Sequence, residues 1–515
     1  MQGYLINNLC VLFFEIHTLM SICHNSFDFN KEVISKMKLT KRILAGLIAI
    51  CTAFSVAGCS PKDKDKKGKA IPLSKTQTEL VDALAESDVL PSTELENKTL
   101  TWIGHYSILP TEGQVTSPDL YLFQKKYQGE IKEVITDWAG RYDTLAKNVL
   151  GGDAPDFFQA DDMDSFPKGA IRGMFQPIDP YIDFESPLWS GIKETADSFM
   201  FAGSHYVATI RVEPSIACVY NTATIKEMGL DDPAALYASG EWTLDKFMGM
   251  CREFVDTDHE KYALDGFWYY DAIQQTTGVP MVSLQDGKLV NNMGTAEIAS
   301  IENKMYELQK DKVVFPRATN NWDTRGSGAT GEGLGDGKTL FIPVGLWAIQ
   351  APVADTKTFG DMAAGEIMFV PMPDNTDNEP YYVSARINGY VLCNNAPNPE
   401  AYAAFMNCKR ACQLDDGVTK IGDQQLLDNY GWNQEMVDMK TEIYSLVEKN
   451  PVFEFHQGVN SEVATYFENS ICSGTMMDND EGATKTWTEI IGEFKTTIDF
   501  LINEANNDIS TTPVK

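Results

Sequence analysis

Between residues 100 and 160 the sequence alternates short apolar runs with amphipathic stretches that carry helix-capping residues at their ends. The apolar runs cover 100–103, 131–136 and 157–160 and predict three strands. Ser117 followed by Pro118 predicts the start of the first intervening helix, and Gly151-Gly152 predicts the end of the second. This βαβαβ order predicts an α/β fold with a parallel sheet and helices on both of its faces.

A second unit of the same kind begins at an apolar run over 216–220. That run leads into a helix predicted over 223–228, which Gly229 ends. Thr243 then caps a helix with a continuous apolar stripe. Further helices are predicted at 296–309, at 400–412 after Pro399, and in a last amphipathic stretch from Trp487 to Ile502.

The N-terminal part has the pattern of a lipoprotein signal peptide. Lys38, Lys41 and Arg42 precede an apolar run over 43–56, which has about the length of a signal h-region and is too short for a permanent membrane span. The tetrapeptide Val56-Ala57-Gly58-Cys59 then provides small residues before a thiol, so Cys59 is predicted to carry the lipid and become the new N-terminus. We therefore expect an extracytoplasmic protein anchored to the outer face of the bacterial cell membrane.

The same pattern predicts the flanking segments. Met37 directly precedes Lys38, so residues 1–36 are predicted to come from a start codon assigned too early, and 37–58 to be the signal peptide. The charged run 61–69 has no apolar periodicity and cannot bury enough surface to offset its ordering entropy. We therefore expect 59–97 to be a flexible tether.

Charge and size restrict the partners of the mature chain. Removing the first 58 of 515 residues leaves 457, enough for two lobes of ordinary domain size. The removed part holds five basic and three acidic residues, so the net charge changes from −31 to −33. Such a charge repels nucleic acid and anionic lipid and favours neutral or cationic partners. The cysteines beyond Cys59 lie mostly in apolar runs and are expected to be free thiols, with one disulfide bridge left open for an extracytoplasmic protein.

Motifs for cofactors and metals are incomplete in this sequence. The glycine-rich 326–331 matches a dinucleotide fingerprint in letters, but no apolar strand precedes it and no helix pattern follows. His259-Glu260 begins like a zinc metalloprotease helix, yet Ala263 stands where the second histidine is needed. The acidic 478–482 resembles part of a calcium loop with its glycine one place early. We therefore expect no cofactor, no metal and no catalytic residue.

Four segments, taken in order, resemble extracellular solute-binding proteins of family 1, the family that includes maltose-binding protein. They are 143–158 with its Gly-Asp-Ala-Pro-Asp passage, 219–230 with Tyr-Asn at a strand end, 241–247, and 336–347. In 241–247 the Trp and Thr of the family pattern are exchanged. The resemblance covers roughly residues 98–505.

The resemblance implies a two-lobed, periplasmic-binding-protein-like α/β fold in which each lobe is a mostly parallel sheet flanked by helices. Several chain crossings form the hinge, predicted near 207–212, 383–388 and 450–455. The predicted divisions are an N-lobe of 98–210 and 388–449, a C-lobe of 211–387 and 450–505, and a tail of 506–515.

The resemblance also places the ligand in the cleft between the lobes, at loops that follow strand ends. Aromatic faces suit the apolar C–H surfaces of pyranose rings, while Asp, Asn and Arg bind hydroxyl groups. Ligand-binding residues predicted from the N-lobe are Trp102, His105, Tyr106, Trp138, Gln159, Asp161 and Asp162. Those predicted from the C-lobe or the hinge are Tyr220, Asn221, Trp268, Tyr269, Trp347, Ser384 and Arg386.

Together with the lipoprotein signal at Cys59, the resemblance implies a monomeric, lipid-anchored binding protein without catalysis. It would capture a carbohydrate, an oligosaccharide, and deliver it to the permease subunits of an ABC transporter. One alternative keeps the fold and replaces the ligand by a peptide, a polyamine or another cation. Another is a surface enzyme acting on polysaccharides, against which stands the absence of a recognisable positioned carboxylate pair in the sequence.

Overall fold

The computed structural model describes residues 70–111, 113–160, 163–266, 269–316, 333–350, 358–377, 379–472, 474–476 and 484–511. The predicted signal peptide, lipidation at Cys59, the glycine-rich 326–331 and the acidic 478–482 lie outside these residues. Among the described helices, none combines the length and the apolar character needed to cross a membrane.

The described strands are β1 (Thr99–Gly104), β2 (Glu130–Ile135), β3 (Phe157–Gln159), β4 (Met200–Phe201), β5 (Ser204–His205), β6 (Val207–Pro214), β7 (Ala217–Asn221), β8 (Tyr262–Leu264), β9 (Val282–Gln285), β10 (Lys288–Asn291), β11 (Thr339–Val344), β12 (Ile367–Val370), β13 (Val383–Leu392) and β14 (Pro451–Phe453). The described α-helices are α1 (Lys75–Glu86), α2 (Pro118–Tyr127), α3 (Arg141–Gly151), α4 (Lys168–Ile171), α5 (Lys193–Ser198), α6 (Thr222–Met228), α7 (Pro233–Ser239), α8 (Leu244–Phe254), α9 (Tyr269–Gln274), α10 (Ala296–Lys310), α11 (Pro399–Leu414), α12 (Asp416–Asn429), α13 (Gln434–Lys449), α14 (His456–Val459), α15 (Ser461–Tyr466) and α16 (Trp487–Thr511).

The first sheet contains the predicted βαβαβ unit. Its order is β14-β13-β3-β1-β2, with β6 also paired to β13, and β1 runs parallel to both β2 and β3. Helix α2 begins with Ser117 as its N-cap and Pro118 in its first turn. Helix α3 ends at Gly152, whose φ of 81° lies in the left-handed region that glycine adopts without strain. The predicted unit and its helix ends are confirmed.

Two long strands run side by side at one side of this sheet. Strands β6 and β13 pair antiparallel from Val207 opposite Val391 to Pro214 opposite Ala385. The pairing is irregular between Asn388 and Gly389, which marks a bulge. Strand β14 pairs in parallel with the first residues of β13.

The second sheet has the order β12-β7-β11-β8. Strand β7 is antiparallel to both of its neighbours, and β8 and β11 are parallel. This sheet is therefore mixed, whereas a mostly parallel one was expected. All residues of β7, β11 and β12 are buried, and a strand buried in this way reads as an apolar run whichever direction it takes.

The core buries the apolar stripes that the sequence predicts. Trp487, Ile490, Phe494, Ile498 and Ile502 of α16 are all buried on one side of that helix. Helix α8 likewise buries its stripe and is capped by Thr243, whose side chain accepts a hydrogen bond from the Lys246 amide. The six cysteines within the described residues are buried free thiols, as predicted: Cys218, Cys251, Cys393, Cys408, Cys412 and Cys472.

The predicted flexible tether over 59–97 is wrong for its second half, because α1 lies within it. Ser74 forms a capping box at the start of this helix, and Val81, Leu84 and Ala85 are buried on its inner side. The Tyr121 hydroxyl of α2 donates to the Asp82 carboxylate at 3.0 Å. The charged run that suggested a tether ends before this stripe begins.

The predicted tail over 506–515 is also too long. Helix α16 continues to Thr511, and Ile509 is buried. The Asn506 side chain accepts a hydrogen bond from the Leu289 amide and donates one to its carbonyl, so the helix is fixed to β10. The lobe boundaries stay a prediction.

Candidate functional site

Four predicted site residues meet where the parallel strands of the first sheet end. His105 follows β1, Trp138 follows β2, and Gln159 is the last residue of β3. The ring centroids of His105 and Trp138 are 4.7 Å apart at an interplanar angle of 89°. Tyr106 packs edge-on against His105 with centroids 4.9 Å apart. These side chains form the edge cluster, defined here as His105, Tyr106, Trp138 and Gln159.

A buried cation supports this edge cluster and was missed by the sequence analysis. The Arg141 guanidinium lies 3.4 Å from the centre of the Trp138 ring, forms an ion pair with Asp164 and donates to the Trp138 carbonyl. Trp138 itself is 46% exposed. Arg141 starts α3 in a polar stretch, and its spacing from Asp164 carries no local signal, so only the fold brings them together.

The charge state of His105 follows from its surroundings. Burial lowers the pKa of His105, and the positive charge of Arg141 lowers it further. Its Nδ1 atom is buried and has no hydrogen-bond partner among the described residues. A neutral imidazole at this place can both donate and accept a hydrogen bond.

A cavity of about 510 Å³ lies beside β6 and β13. Trp347, in the 3₁₀ turn Leu346–Ile349 after β11, lines it and is 52% exposed. Arg386 of β13 lines it as well. Other lining residues are Asp119, Arg211, Glu213, Gln350, Asn388, Lys409, Gln413, Asp423, Gln425, Lys440 and Tyr444. The cavity thus combines an exposed aromatic ring with many hydrogen-bonding groups, and both Trp347 and Arg386 were predicted site residues.

Glu213 forms the centre of the cavity's charged wall. Its carboxylate lies 2.6 Å from the Arg211 guanidinium and 3.2 Å from that of Arg386, and it accepts a hydrogen bond from the Asn388 amide at 3.3 Å. Burial alone would raise the pKa of Glu213, but the two guanidinium groups outweigh burial and lower it to about 2. Glu213 is therefore an ionised acceptor that holds both arginines in place.

Two further ion pairs line the same cavity. The Lys409 ammonium lies 2.5 Å from the Asp119 carboxylate, and Lys440 lies 2.7 Å from Asp423. None of these four residues was predicted, because each lies on a helix that meets its partner only in the folded chain. The wall therefore offers fixed donors and acceptors rather than a surface of one charge.

Several predicted site residues lie in the core instead. Trp102 has no exposed surface, and its indole N–H donates to the Tyr106 carbonyl at 3.1 Å. Tyr220 is equally buried and donates its hydroxyl to Asp232 at 2.7 Å. We leave both residues out of the proposed site, since neither presents a free face.

Of the other predicted residues, Asn221 has a structural contact: its side chain caps α6 by accepting from the Thr224 amide at 3.0 Å. Tyr269 and Ser384 are buried as well. Asp161, Asp162 and Trp268 lie outside the described residues.

The fold is similar to that of solved carbohydrate-binding proteins. An ABC substrate-binding protein from Listeria monocytogenes in complex with cycloalternan matches with a TM-score of 0.54 and 14% identity, covering 81% of this chain and 100% of that one. The GacH receptor of Streptomyces glaucescens, solved unliganded and in complex with acarbose, matches with a TM-score of 0.54 and 14% identity, over 79% of this chain and 98% of that one. A lacto-N-biose-binding ABC transporter protein from Bifidobacterium longum gives 0.54 and 15%, over 79% and 97%.

These likenesses confirm the two-lobed α/β fold class. No curated protein sequence is significantly similar to this chain. The model of the family described as bacterial extracellular solute-binding protein matches residues 111–408. This range is more than half of the chain and contains the strands from β2 to β13, but neither β1 nor β14. The chain therefore belongs to the bacterial extracellular solute-binding proteins.

Proposed function

We propose that this protein captures a carbohydrate, an oligosaccharide, between its two lobes and delivers it to the permease subunits of an ABC transporter. It works outside the cytoplasm as a monomer, held at the membrane by a lipid on Cys59. It binds its ligand without transforming it.

The observation that carries this proposal is the cavity beside β6 and β13. An indole that is 52% exposed at a cavity of about 510 Å³ provides an apolar face of the kind that stacks on a pyranose ring. The volume is typical of small-molecule sites, which span about 300 to 1,000 Å³. Glu213 and its two arginines supply fixed charged groups for hydroxyl hydrogen bonds beside that ring.

The edge cluster is the second part of the proposed site. It adds an exposed indole, Trp138, and a neutral imidazole, His105, at the ends of the parallel strands, where open α/β sheets bind their ligands. Cleft closure around a sugar would then be a population shift, in which ligand contacts with both lobes favour the closed form.

The ligands of similar structures favour the same class of ligand. The three proteins compared above hold cycloalternan, acarbose or lacto-N-biose, all of them saccharides or saccharide-like. A hydroxyl-rich, neutral ligand also suits a chain whose net charge is −31, since such a chain repels anions.

Thermal denaturation of the full chain in detergent tests the proposal. When oligosaccharides are added one at a time, we expect at least one of them to raise the melting temperature, because a ligand that binds only the folded state stabilises it. Peptides and polyamines serve as comparison ligands. Stabilisation by a peptide or a polyamine and by no saccharide would contradict the carbohydrate proposal, as would hydrolysis of a bound glycan.

The anchor has a separate test. Cells fed a clickable fatty acid should label the wild-type chain and leave Cys59→Ala unlabelled. Equal labelling of both chains would contradict lipidation at Cys59.

A further inference from the structure

Three side chains with metal-binding atoms meet in the interior, and none of them belongs to the edge cluster or lines the cavity. Asp271 lies in α9, His456 is the first residue of α14, and Cys472 follows the π-helical turn Phe467–Ile471. One ligand atom from each lies within 4.8 Å of the other two. All three residues are buried, with exposures of 7%, 3% and 2%.

The surroundings of this group contain more carboxylates than cations. The His456 imidazole nitrogen Nδ1 is 3.1 Å from the Glu454 carboxylate. Asp271 is coupled electrostatically to His456, Glu454 and Glu468, and it raises the pKa of Glu302 further. Three of these carboxylates, those of Asp271, Glu454 and Glu468, are coupled to the His456 imidazole, and Glu468 is also coupled to Lys168 and Arg141. Since buried charges in proteins are paired or coordinate metals, such a cluster requires a bound cation or bound protons.

One observation distinguishes this group from a set of acids that merely lie close together. The Oδ1 atom of Asp271 is buried without a hydrogen-bond partner among the described residues, so it is available as a ligand.

The donor set selects the metal. A thiolate, an imidazole and a carboxylate together suit Zn²⁺, while Ca²⁺ and Mg²⁺ prefer oxygen ligands alone. In a tetrahedral zinc site the ligand atoms are about 3.3 to 3.6 Å apart, so small side-chain rotations bring the three atoms into place. The separation of 3.1 Å between Glu454 and His456 is close to that of two ligand atoms on one zinc, and it makes Glu454 the fourth candidate ligand.

We propose that Asp271, His456 and Cys472, with Glu454 as fourth ligand, bind one structural Zn²⁺ ion. The ion would connect three segments that are distant in the sequence, one of which directly follows β14. The His456 ring is already oriented by stacking on Phe467, with centroids 4.8 Å apart and planes inclined by 20°. The incomplete zinc protease pattern at His259 is unrelated to this group, which no local motif encodes.

The test uses the full chain, extracted in detergent without chelator. We expect about one zinc per chain by elemental analysis. After chelation and reloading with Co²⁺, the chain should show a thiolate-to-cobalt absorption band. Cys472→Ser should lose this band, whereas Cys412→Ser, which removes another buried free thiol, should keep it.

A second variant keeps the test informative if Cys472→Ser does not fold. Asp271→Asn preserves the shape of the side chain while removing the charge, and we expect it to fold and to lose metal affinity by a factor of at least about ten. His205→Asn is the matched control for a buried histidine, since His205 is held by Asp179 and Asp197, and it should retain zinc. The proposal is overturned if the wild-type chain holds no zinc after reloading and its melting temperature does not respond to zinc or chelator; protons then neutralise the cluster.

Discussion

Arg386 and Glu213 form an ion pair of 3.2 Å between the two long antiparallel strands β13 and β6. The same carboxylate also binds Arg211 at 2.6 Å, so one buried acid holds two guanidinium groups at the wall of the cavity. Since Arg386 lines the cavity, its orientation toward a ligand depends on Glu213. The charged wall is therefore both a stabilising contact and part of the proposed site.

Replacing Trp347 by alanine should weaken saccharide binding. Loss of one stacked aromatic ring is expected to cost about 2 kcal/mol, by analogy with aromatic hot spots, which corresponds to roughly a 30-fold higher Kd. Titration calorimetry with the saccharide that stabilises the chain measures the change. Phe500→Ala is the matched control, because Phe500 is 58% exposed on α16 and does not line the cavity. Equal affinities of wild type and Trp347→Ala would remove Trp347 from the site.

Trp102 and Trp138 lie near the same edge of the first sheet, but their replacement should have different effects. The first substitution should mainly lower stability, and the second should mainly weaken ligand binding. Trp102→Ala removes a wholly buried indole and should lower the free energy of unfolding by about 3 to 5 kcal/mol. Trp138→Ala removes an indole that is 46% exposed and should cost about 1 kcal/mol through its lost contact with Arg141, while weakening ligand binding. Urea denaturation and calorimetry separate the two effects. A Trp138→Ala chain with wild-type affinity would exclude the edge cluster from the ligand site.

The stability of the chain should depend on the ionisation of Glu213. Its folded-state pKa of about 2 lies below its ordinary value of 4.5, so its contribution is present above about pH 5 and is lost as the pH falls toward 2. The loss is on the order of 3 kcal/mol. Unfolding curves of wild type and Glu213→Gln should converge on acidification.

Glu79→Gln serves as the control for this titration. Glu79 is exposed on α1 and forms a solvent-exposed pair with Lys75, so this variant should follow the wild-type pH dependence. A constant gap between wild type and Glu213→Gln from pH 7 to pH 2 would contradict the low pKa.

Helix α1 should contribute to the stability of the folded chain rather than act as a tether. Leu84 is 7% exposed, whereas Leu80 of the same helix is 40% exposed. Leu84→Ala should therefore lower the free energy of unfolding by about 2 to 5 kcal/mol, and Leu80→Ala by less than about 1 kcal/mol. Chemical denaturation compares the pair. Equal, small effects of both substitutions would mean that α1 does not pack on the core in solution.

Local structure was predictable because its signals lie within a few residues of each other. Ser117-Pro118, Gly152 and Thr243 mark helix ends by backbone geometry and side-chain hydrogen bonds that need no distant partner. The tether prediction failed over α1 because the charged run 61–69 is not representative of the residues that follow it, where the apolar stripe of α1 begins.

The site was predictable only in part. Trp138 and Trp347 are exposed beyond the ends of β2 and β11, and Arg386 lies within β13 at the cavity. Trp102 and Tyr220, which were predicted with them, are buried. Residues near a strand end can face either side of the sheet or the adjacent core, and the sequence does not specify which. Whether neighbouring residues bury an aromatic side chain is decided by tertiary packing.

The sequence by itself determined the α/β class, the first parallel unit, the helix ends and the family resemblance, because these follow from periodicity and from short-range contacts. Only the tertiary structure decided the antiparallel direction of β7, the pairing of Glu213 with two arginines, and the meeting of Asp271, His456 and Cys472. Each of these joins segments that are far apart in the chain. Their proximity depends on how the whole chain packs, which no local pattern encodes.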